Sequence, residues 1–365
     1  MSIEASVHRS LPAESSAQLR RVAVTGSGGA IGRRVVRLLA STPGVEEVIA
    51  IDETSTSSPY GPVRYELLDL LGSPRRLEAA FRGVDVIVHL AYSTEHGDQP
   101  LLRRVLGAAE AVGVNRVVTV SSAMVYGAWS SNPVPLSEDA PLRPNPECDF
   151  AVRKADAERI LWEWADESVE RVVVALRPAP AVSATDASMI GQAVLAAAPI
   201  RTGTDDPPVQ FVHMDDLATA AVHAASLPTS GAYNVNADGW LNGDELRALL
   251  GARIRLRLPI PLPERLDRLV ARRTRKPVPA GLIEYTRHPW AIANDRLRAT
   301  GWRPRYGNDQ TFVAADDGAP WDSLNARQRQ YWSLGVGGAL IGGLVGLAIW
   351  LIRRHRRRIS RAGRQ

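Results

Sequence analysis

A short apolar run, Arg21 to Thr25 (RVAVT), breaks into Gly26-Ser27-Gly28-Gly29-Ala30-Ile31-Gly32 and then into a helical pattern with Val35, Val36, Leu38 and Leu39 on one face. This order reads as a β-strand, a tight glycine turn and a helix. The glycines let the backbone approach a pyrophosphate, and the helix N-terminus offers it N–H groups and positive dipole. Thr25, Gly26, Gly29 and Gly32 set the spacing TGxxGxxG, and with Ala30 and Ile31 they are the candidate cofactor contacts. No Lys-Ser/Thr follows the glycines, which argues against a P-loop NTPase. A second strand, Glu47 to Ile51, ends in Asp52, 20 residues beyond Gly32. A carboxylate there accepts hydrogen bonds from adenosine ribose hydroxyls and repels a 2′-phosphate, so NAD is expected ahead of NADP. The competing reading of Asp52 is a solvated carboxylate at a strand end.

Strand and helix patterns then alternate: Val63 to Leu67, a helix near Pro74 to Phe81, Val84 to Leu90, a helix to Val112, Arg116 to Ser121, a helix from about Phe150 to Glu167, and Val172 to Leu176. Such an order predicts an α/β fold, a Rossmann-type doubly wound parallel sheet with helices on both faces and ligands beyond the carboxyl ends of the strands. Those ends carry the glycine turn, Asp52, Asp69, His89 to Tyr92, and Ser121-Ser122. The 365 residues leave room for more than this one sheet.

Charge is divided unevenly. The net charge is +5, yet residues 325 to 365 hold nine Arg and no Asp, Glu or Lys, which leaves 35 Lys+Arg against 39 Asp+Glu in the rest. The basic end follows twenty uncharged residues, Ser333 to Ile352, flanked by Tyr331, Trp332 and Trp350 and followed by Arg353, Arg354, Arg356, Arg357 and Arg358. At about 1.5 Å per residue they would span a hydrocarbon core of about 30 Å, and one C-terminal transmembrane helix is expected. Gly338, Gly342 and Gly346 form a seam that would let two such helices pair as a homodimer. No export signal precedes the body, so residues 1–19 read as a disordered lead-in, 20–320 as a cytoplasmic body, 321–332 as a linker and 353–365 as an Arg-rich tail. A cytoplasmic body with a translocated Arg cluster runs against the positive-inside tendency; the alternative is an anchor lying on the inner leaflet, its arginines on anionic lipid. Arg253 to Lys276 carries an apolar stripe, Leu262, Leu266, Leu269 and Val270, ringed by arginines. It fits either a helix near a membrane surface or an ordinary packed helix with a solvated basic face. No nucleic-acid motif accompanies the arginines. One cysteine, Cys148, and seven scattered histidines make metal chemistry a poor expectation.

With these residues in view, the chain resembles an extended short-chain dehydrogenase/reductase of the NAD-dependent epimerase/dehydratase family over about residues 20 to 315. The resemblance is carried by VAVTGSGGAIG, Asp52, Asp69, VDVIVHLA, VNRVVTVSSAMVYG, Lys154 with ADAERIL, LRP at Leu176 to Pro178, QFVHMDDLATAAVHA, GAYNVNADG and LRATGWRPRY. It implies that Asp69 lies near the adenine, that Leu90 and Ala91 line the cofactor, and that residues 178–208 and 236–310 form a small capping lobe over a small-molecule substrate. Asp215 and Asp216 read equally as ligands or as a helix N-terminal charge pair.

Two positions depart from the family. A Tyr four residues before the Lys passes a proton to or from the substrate hydroxyl, while the Lys lowers its pKa and holds the nicotinamide ribose. Here that position is Phe150, and the family's Asn aligns with Asp98. Ser122, matching the catalytic Ser, and Lys154 remain as the candidate catalytic pair. Lys154 is one of two lysines against 42 arginines, which suggests a compact ammonium where guanidinium would not fit, although a solvated surface lysine is the alternative. Cys148, Asp149, Tyr92 and Tyr126 are the neighbours that could replace the lost phenol. Two readings follow. One is a membrane-tethered enzyme transferring a hydride transiently on a sugar-type or other hydroxyl-bearing substrate. The other is an impaired NAD-binding sensor or scaffold at the membrane.

Overall fold

The computed structural model describes residues 19–54, 61–93, 97–198, 200–202, 206–250, 256–258 and 281–315. The expected membrane span 333–352, the basic tail and most of the Arg253 to Lys276 stripe lie outside them. Among the described residues no helix is long and apolar enough to cross a membrane.

Eleven-residue α1 (Ala30–Ala40) follows β1 (Arg21–Thr25), and the chain continues through β2 (Glu47–Asp52), β3 (Val63–Leu67), α2 (Pro74–Phe81), β4 (Val86–His89), α3 (Asp98–Val112), β5 (Arg116–Val120), α4 (Asp149–Asp166) and β6 (Val172–Pro178). Beyond it come β7 (Ala181–Val182), α5 (Met189–Ala197), β8 (Ile200–Thr202), β9 (Val212–His213), α6 (Met214–Ala225), β10 (Gly231–Val235) and α7 (Gly243–Leu250). Seven strands form one parallel sheet in the order β10-β6-β5-β4-β1-β2-β3. GAYNV, read from sequence only as a family mark, is its edge strand β10. Strand β4 is shorter than the Val84 to Leu90 run: Val84 N–H closes a turn onto Phe81 O, and Leu90 N–H crosses to Thr25 O.

Side-chain alternation assigns each strand residue to a face. Val22, Val24, Val48, Ala50, Val86 and Val88 pack on one side against Val35 and Leu39 of α1 and Leu217 of α6. Ala23, Ile49, Ile51 and Ile87 pack on the other against Leu77 and Phe81 of α2, Leu102 of α3 and Leu161 of α4. Burial on both faces explains why these strands read as continuous apolar runs. A third cluster lies beyond the strand ends, with Phe211, Leu246, Tyr285, Trp290 and Phe312 around Met124 and Cys148. The segments expected as a capping lobe contribute to it, joined by residues near 123–151. Strand order reverses between β1 and β4, and a parallel sheet opens its ligand crevice at such a point.

Candidate functional site

The glycine turn sits at that reversal. Gly26 has φ +72°, in the left-handed region, and a Cβ there would stand 2.6 Å from Ala91 N. Glycine therefore allows the end of β1 to lie against Leu90 and Ala91 at the end of β4. A Cβ on Gly32 would meet Gly26 O at 2.1 Å, so that glycine brings α1 down onto the turn. Helix α1 has no side-chain cap and no acidic residue in its first turn. Among the described residues no side chain caps its first N–H groups at Ala30 and Ile31, an environment suited to a pyrophosphate.

Asp52 closes the turn from β2. Its Oδ2 accepts from Gly28 N–H at 2.9 Å, and its Oδ1 accepts from Thr54 N–H at 3.0 Å and Thr54 Oγ1 at 2.9 Å. The strand-end carboxylate is thus fixed beside the glycines. Asp69, exposed after β3, accepts from Leu71 N–H at 2.8 Å, and Leu68 N–H donates to Asp52 O at 2.9 Å. The sequence-predicted contacts Thr25, Gly26, Gly29, Ala30, Ile31, Gly32, Asp52, Asp69, Leu90 and Ala91 therefore come together along one edge, and as a set they fit a dinucleotide.

Thr25 Oγ1 shares a 2.7 Å hydrogen bond with His89 Nδ1. Burial pushes the His89 imidazole down to about 4; Asp98 opposes the shift and Lys154 adds to it. An unfolded histidine takes up its proton near pH 6.5, so between there and about pH 4 the unfolded state binds more protons. Stability is fully present above pH 6.5 and falls by about 3 kcal/mol as pH drops to 4. Urea denaturation across this range should show a loss in the native chain that His89→Gln reduces, the remainder belonging to His213 and His223, which burial also holds below the ordinary imidazole range.

Lys154, on α4, is buried, not solvated. Its Nζ lies 2.7 Å from Asp98 Oδ2 and donates to Val120 O at 2.9 Å. Asp98 opens α3, where the positive end of the helix dipole favours a carboxylate. Over this pair stand Tyr92 and Phe150, edge to face at 5.8 Å, with the ammonium 5.3 Å and 5.8 Å from their ring centres. Ser122 is buried, and its Oγ accepts from Met124 N–H at 3.2 Å, which leaves its own hydrogen available to a ligand oxygen.

The four residues expected as replacements for a phenol at position 150 separate clearly. Tyr126 Oη accepts from Arg177 Nη1 at 2.8 Å and donates to Asn234 Oδ1 at 2.8 Å. Burial pushes its phenol up to about 12. Cys148 is fully buried in the third cluster. The Asp149 side chain is 78% exposed and pairs with Arg153 at 3.7 Å. Tyr92 sets its ring edge to face against Phe150. Asp215 pairs with Arg34 at 2.7 Å, while buried Asp216 accepts from Arg305 and Tyr306 N–H, a structural use of both.

Sequence reasoning missed one assembly. Glu158 of α4 and Arg177 of β6 form a buried ion pair at 2.6 Å, joined by Ser121 and Tyr126. A signal was present: Lys154 and Glu158 fall on the same stripe of α4 as Ala151, Ile160, Leu161 and Trp164, so the apolar face carries two charges.

A model of the NAD dependent epimerase/dehydratase family matches residues 22–236. This is more than half of the chain, and the chain belongs to that family. An uncharacterized protein of Mycobacterium tuberculosis is 27% identical over 266 residues, 66% of this chain and 67% of that one. The UDP-glucose 4-epimerase of Azospirillum brasilense is 34% identical over 139 residues, 34% of this chain and 39% of its own length. The solved complex of a Thermus thermophilus UDP-glucose 4-epimerase with NAD shares the fold with a TM-score of 0.59 at 20% identity, covering 84% of this chain and 100% of that one. A Bacillus anthracis dTDP-glucose 4,6-dehydratase in complex with NAD does so with a TM-score of 0.61 at 17% identity, covering 81% and 95%.

Proposed function

We propose that this chain binds NAD and a hydroxyl-bearing small molecule as a membrane-tethered sensor or scaffold, without the proton transfer its family uses. In this reading Thr25, Gly26, Gly29, Ala30, Ile31 and Gly32 hold the pyrophosphate, Asp52 the adenosine ribose and Asp69 the adenine side. Leu90 and Ala91 line the cofactor, and Lys154 meets the nicotinamide ribose. Bound NAD would supply a carbon able to accept a hydride from a carbinol. Ser122 would orient the ligand oxygen. Asp52 favours NAD over NADP because its carboxylate repels a 2′-phosphate.

The observation that carries the reading is the buried Lys154–Asp98 pair beneath Phe150. A phenyl ring has no proton to give or take, and Asp98 compensates the ammonium that would otherwise make a phenol acidic. The tether rests on the charge-free run Ser333 to Ile352 and its flanking aromatics and arginines. A second reading, an active enzyme, is favoured by one contact: Tyr92 brings a phenol against Phe150 from a different element.

Calorimetric titration of the full chain in mild detergent tests the proposal. NAD and NADH should bind more tightly than NADPH, and Asp52→Ala should weaken NAD by about tenfold or more, the worth of a charge-assisted hydrogen bond. No change in NADH absorbance should follow addition of sugar nucleotides or simple alcohols. Absence of NAD binding would overturn the reading, and turnover abolished by Tyr92→Phe would establish the second one.

A further inference from the structure

A pocket opens beside the candidate ligand site, at the carboxyl ends of β5 and β6, where Ala123 follows Ser122 and Ala179 follows Pro178. The space between its walls comes to about 660 Å³ with the open solvent at its mouth counted. Its walls include Ala123, Val194, Ala197, Leu246, Tyr285 and Trp290.

The polar groups in the wall are spent on the protein itself. Gln210 Nε2 donates to Gly239 O at 2.7 Å and Ile292 O at 3.0 Å, and its Oε1 accepts from Ile292 N–H at 3.0 Å. Tyr285 Oη donates to Met124 O at 2.7 Å, Trp290 Nε1 to Tyr285 O at 2.8 Å, and Thr286 Oγ1 to Ile283 O at 2.7 Å. Pro180, Pro207 and Pro208 have no N–H to offer. Among the described lining residues the one charged side chain is the carboxylate of Asp206, and none is Lys, Arg or His.

The diphosphate of a sugar nucleotide is an anion and needs cations or N–H donors to replace its water. This wall answers with hydrocarbon and with polar side chains already bonded to the protein. We infer that the pocket takes an uncharged, apolar alcohol, its hydroxyl toward Ser122 and its hydrocarbon along Val194, Ala197 and Trp290, in place of a sugar nucleotide. The inference deepens the proposed function and rests on its placement of the ligand beside Ser122. A bilayer next to the charge-free run Ser333 to Ile352 would be the natural source of such a compound.

Photolabelling tests it. The full chain in lipid nanodiscs is irradiated with a diazirine-bearing straight-chain alcohol, and the modified peptides are mapped. Label is expected on the segments holding Val194 to Ala198 and Tyr285 to Trp290. Unlabelled alcohol should reduce it by about tenfold or more, millimolar UDP should not, and Ala197→Trp, which fills the space, should abolish it. NAD titration of the same Ala197→Trp chain reports whether it is folded; if it is not, competition by UDP against the alcohol in the native chain decides. Protection by UDP, or label indifferent to unlabelled alcohol, would overturn the inference. Loss of NAD binding would leave these readouts standing and remove only the cofactor reading.

Discussion

Arg177→Leu should destabilise the protein by about 3–5 kcal/mol, the cost of leaving a buried charge without its partner. The Arg177 and Glu158 side chains are 6% and 1% exposed, and Arg177 Nε and Nη2 reach Glu158 at 3.1 Å and 2.6 Å. Its Nη1 also donates to Tyr126 Oη, which continues to Asn234, whose N–H donates to Glu138 Oε1 at 2.9 Å. The pair thus ties α4, β6 and β10 together at the strand ends. Without the guanidinium, the Glu158 carboxylate would keep the Ser121 hydroxyl but lose its cation. The double replacement Glu158→Leu with Arg177→Leu removes both charges and should be less destabilised than Arg177→Leu alone, because the dominant penalty is the orphaned carboxylate. Denaturant titration of the three variants against the native chain checks both the size and the order.

The second large effect concerns acidity at position 150. Phe150→Tyr places a phenol at the position where the resemblance leads one to expect the proton carrier, with the Lys154 ammonium 5.8 Å from the ring centre. Asp98, at 2.7 Å from that ammonium, offsets its field. The phenol introduced by Phe150→Tyr alone should therefore titrate at or above the ordinary phenol range near about 10. Adding Asp98→Asn retains a hydrogen-bond acceptor and removes the opposing charge. The same phenol should then fall by about one unit or more, since an unmatched cation at this distance favours the phenolate. Difference absorbance of the two variants against their Phe150 parents, followed with pH, isolates the new group. Equal titration in both would show that Asp98 does not set the electrostatics of the site.

Much of the architecture was readable because each element had a strong local signal. The runs Val63 to Leu67 and Pro74 to Phe81 are β3 and α2 to the residue. The glycine turn, Asp52 and Asp69 also fall on one edge, as their places after β1, β2 and β3 required. What stayed hidden depends on contacts between distant elements. Asp98 and Lys154 are 56 positions apart and meet only because α3 packs on α4. A lysine in an arginine-rich chain was readable as solvated or as selected for a site; its burial removes the solvated reading. Glu158 and Arg177 were visible as family marks, but only the packing of α4 on β6 shows that they neutralise each other. The composition of the pocket wall was equally hidden, since Ala123, Val194, Leu246 and Trp290 come from four separate segments.

The central claim is that a retained NAD cradle ends at Lys154. The chain has two lysines, Lys154 and Lys276, so labelling with nitrogen-15 at the lysine Nζ yields two assignable ammonium groups. The Lys154 signal is the one lost in Lys154→Arg, and its 2.7 Å contact with Asp98 should protect it from exchange with water. On addition of NAD to the full chain in detergent, that resonance should shift and saturate while the Lys276 resonance stays in place. Asp52→Ala should raise the NAD concentration required by about tenfold or more. A Lys154 resonance that NAD leaves unmoved at saturation would contradict the account.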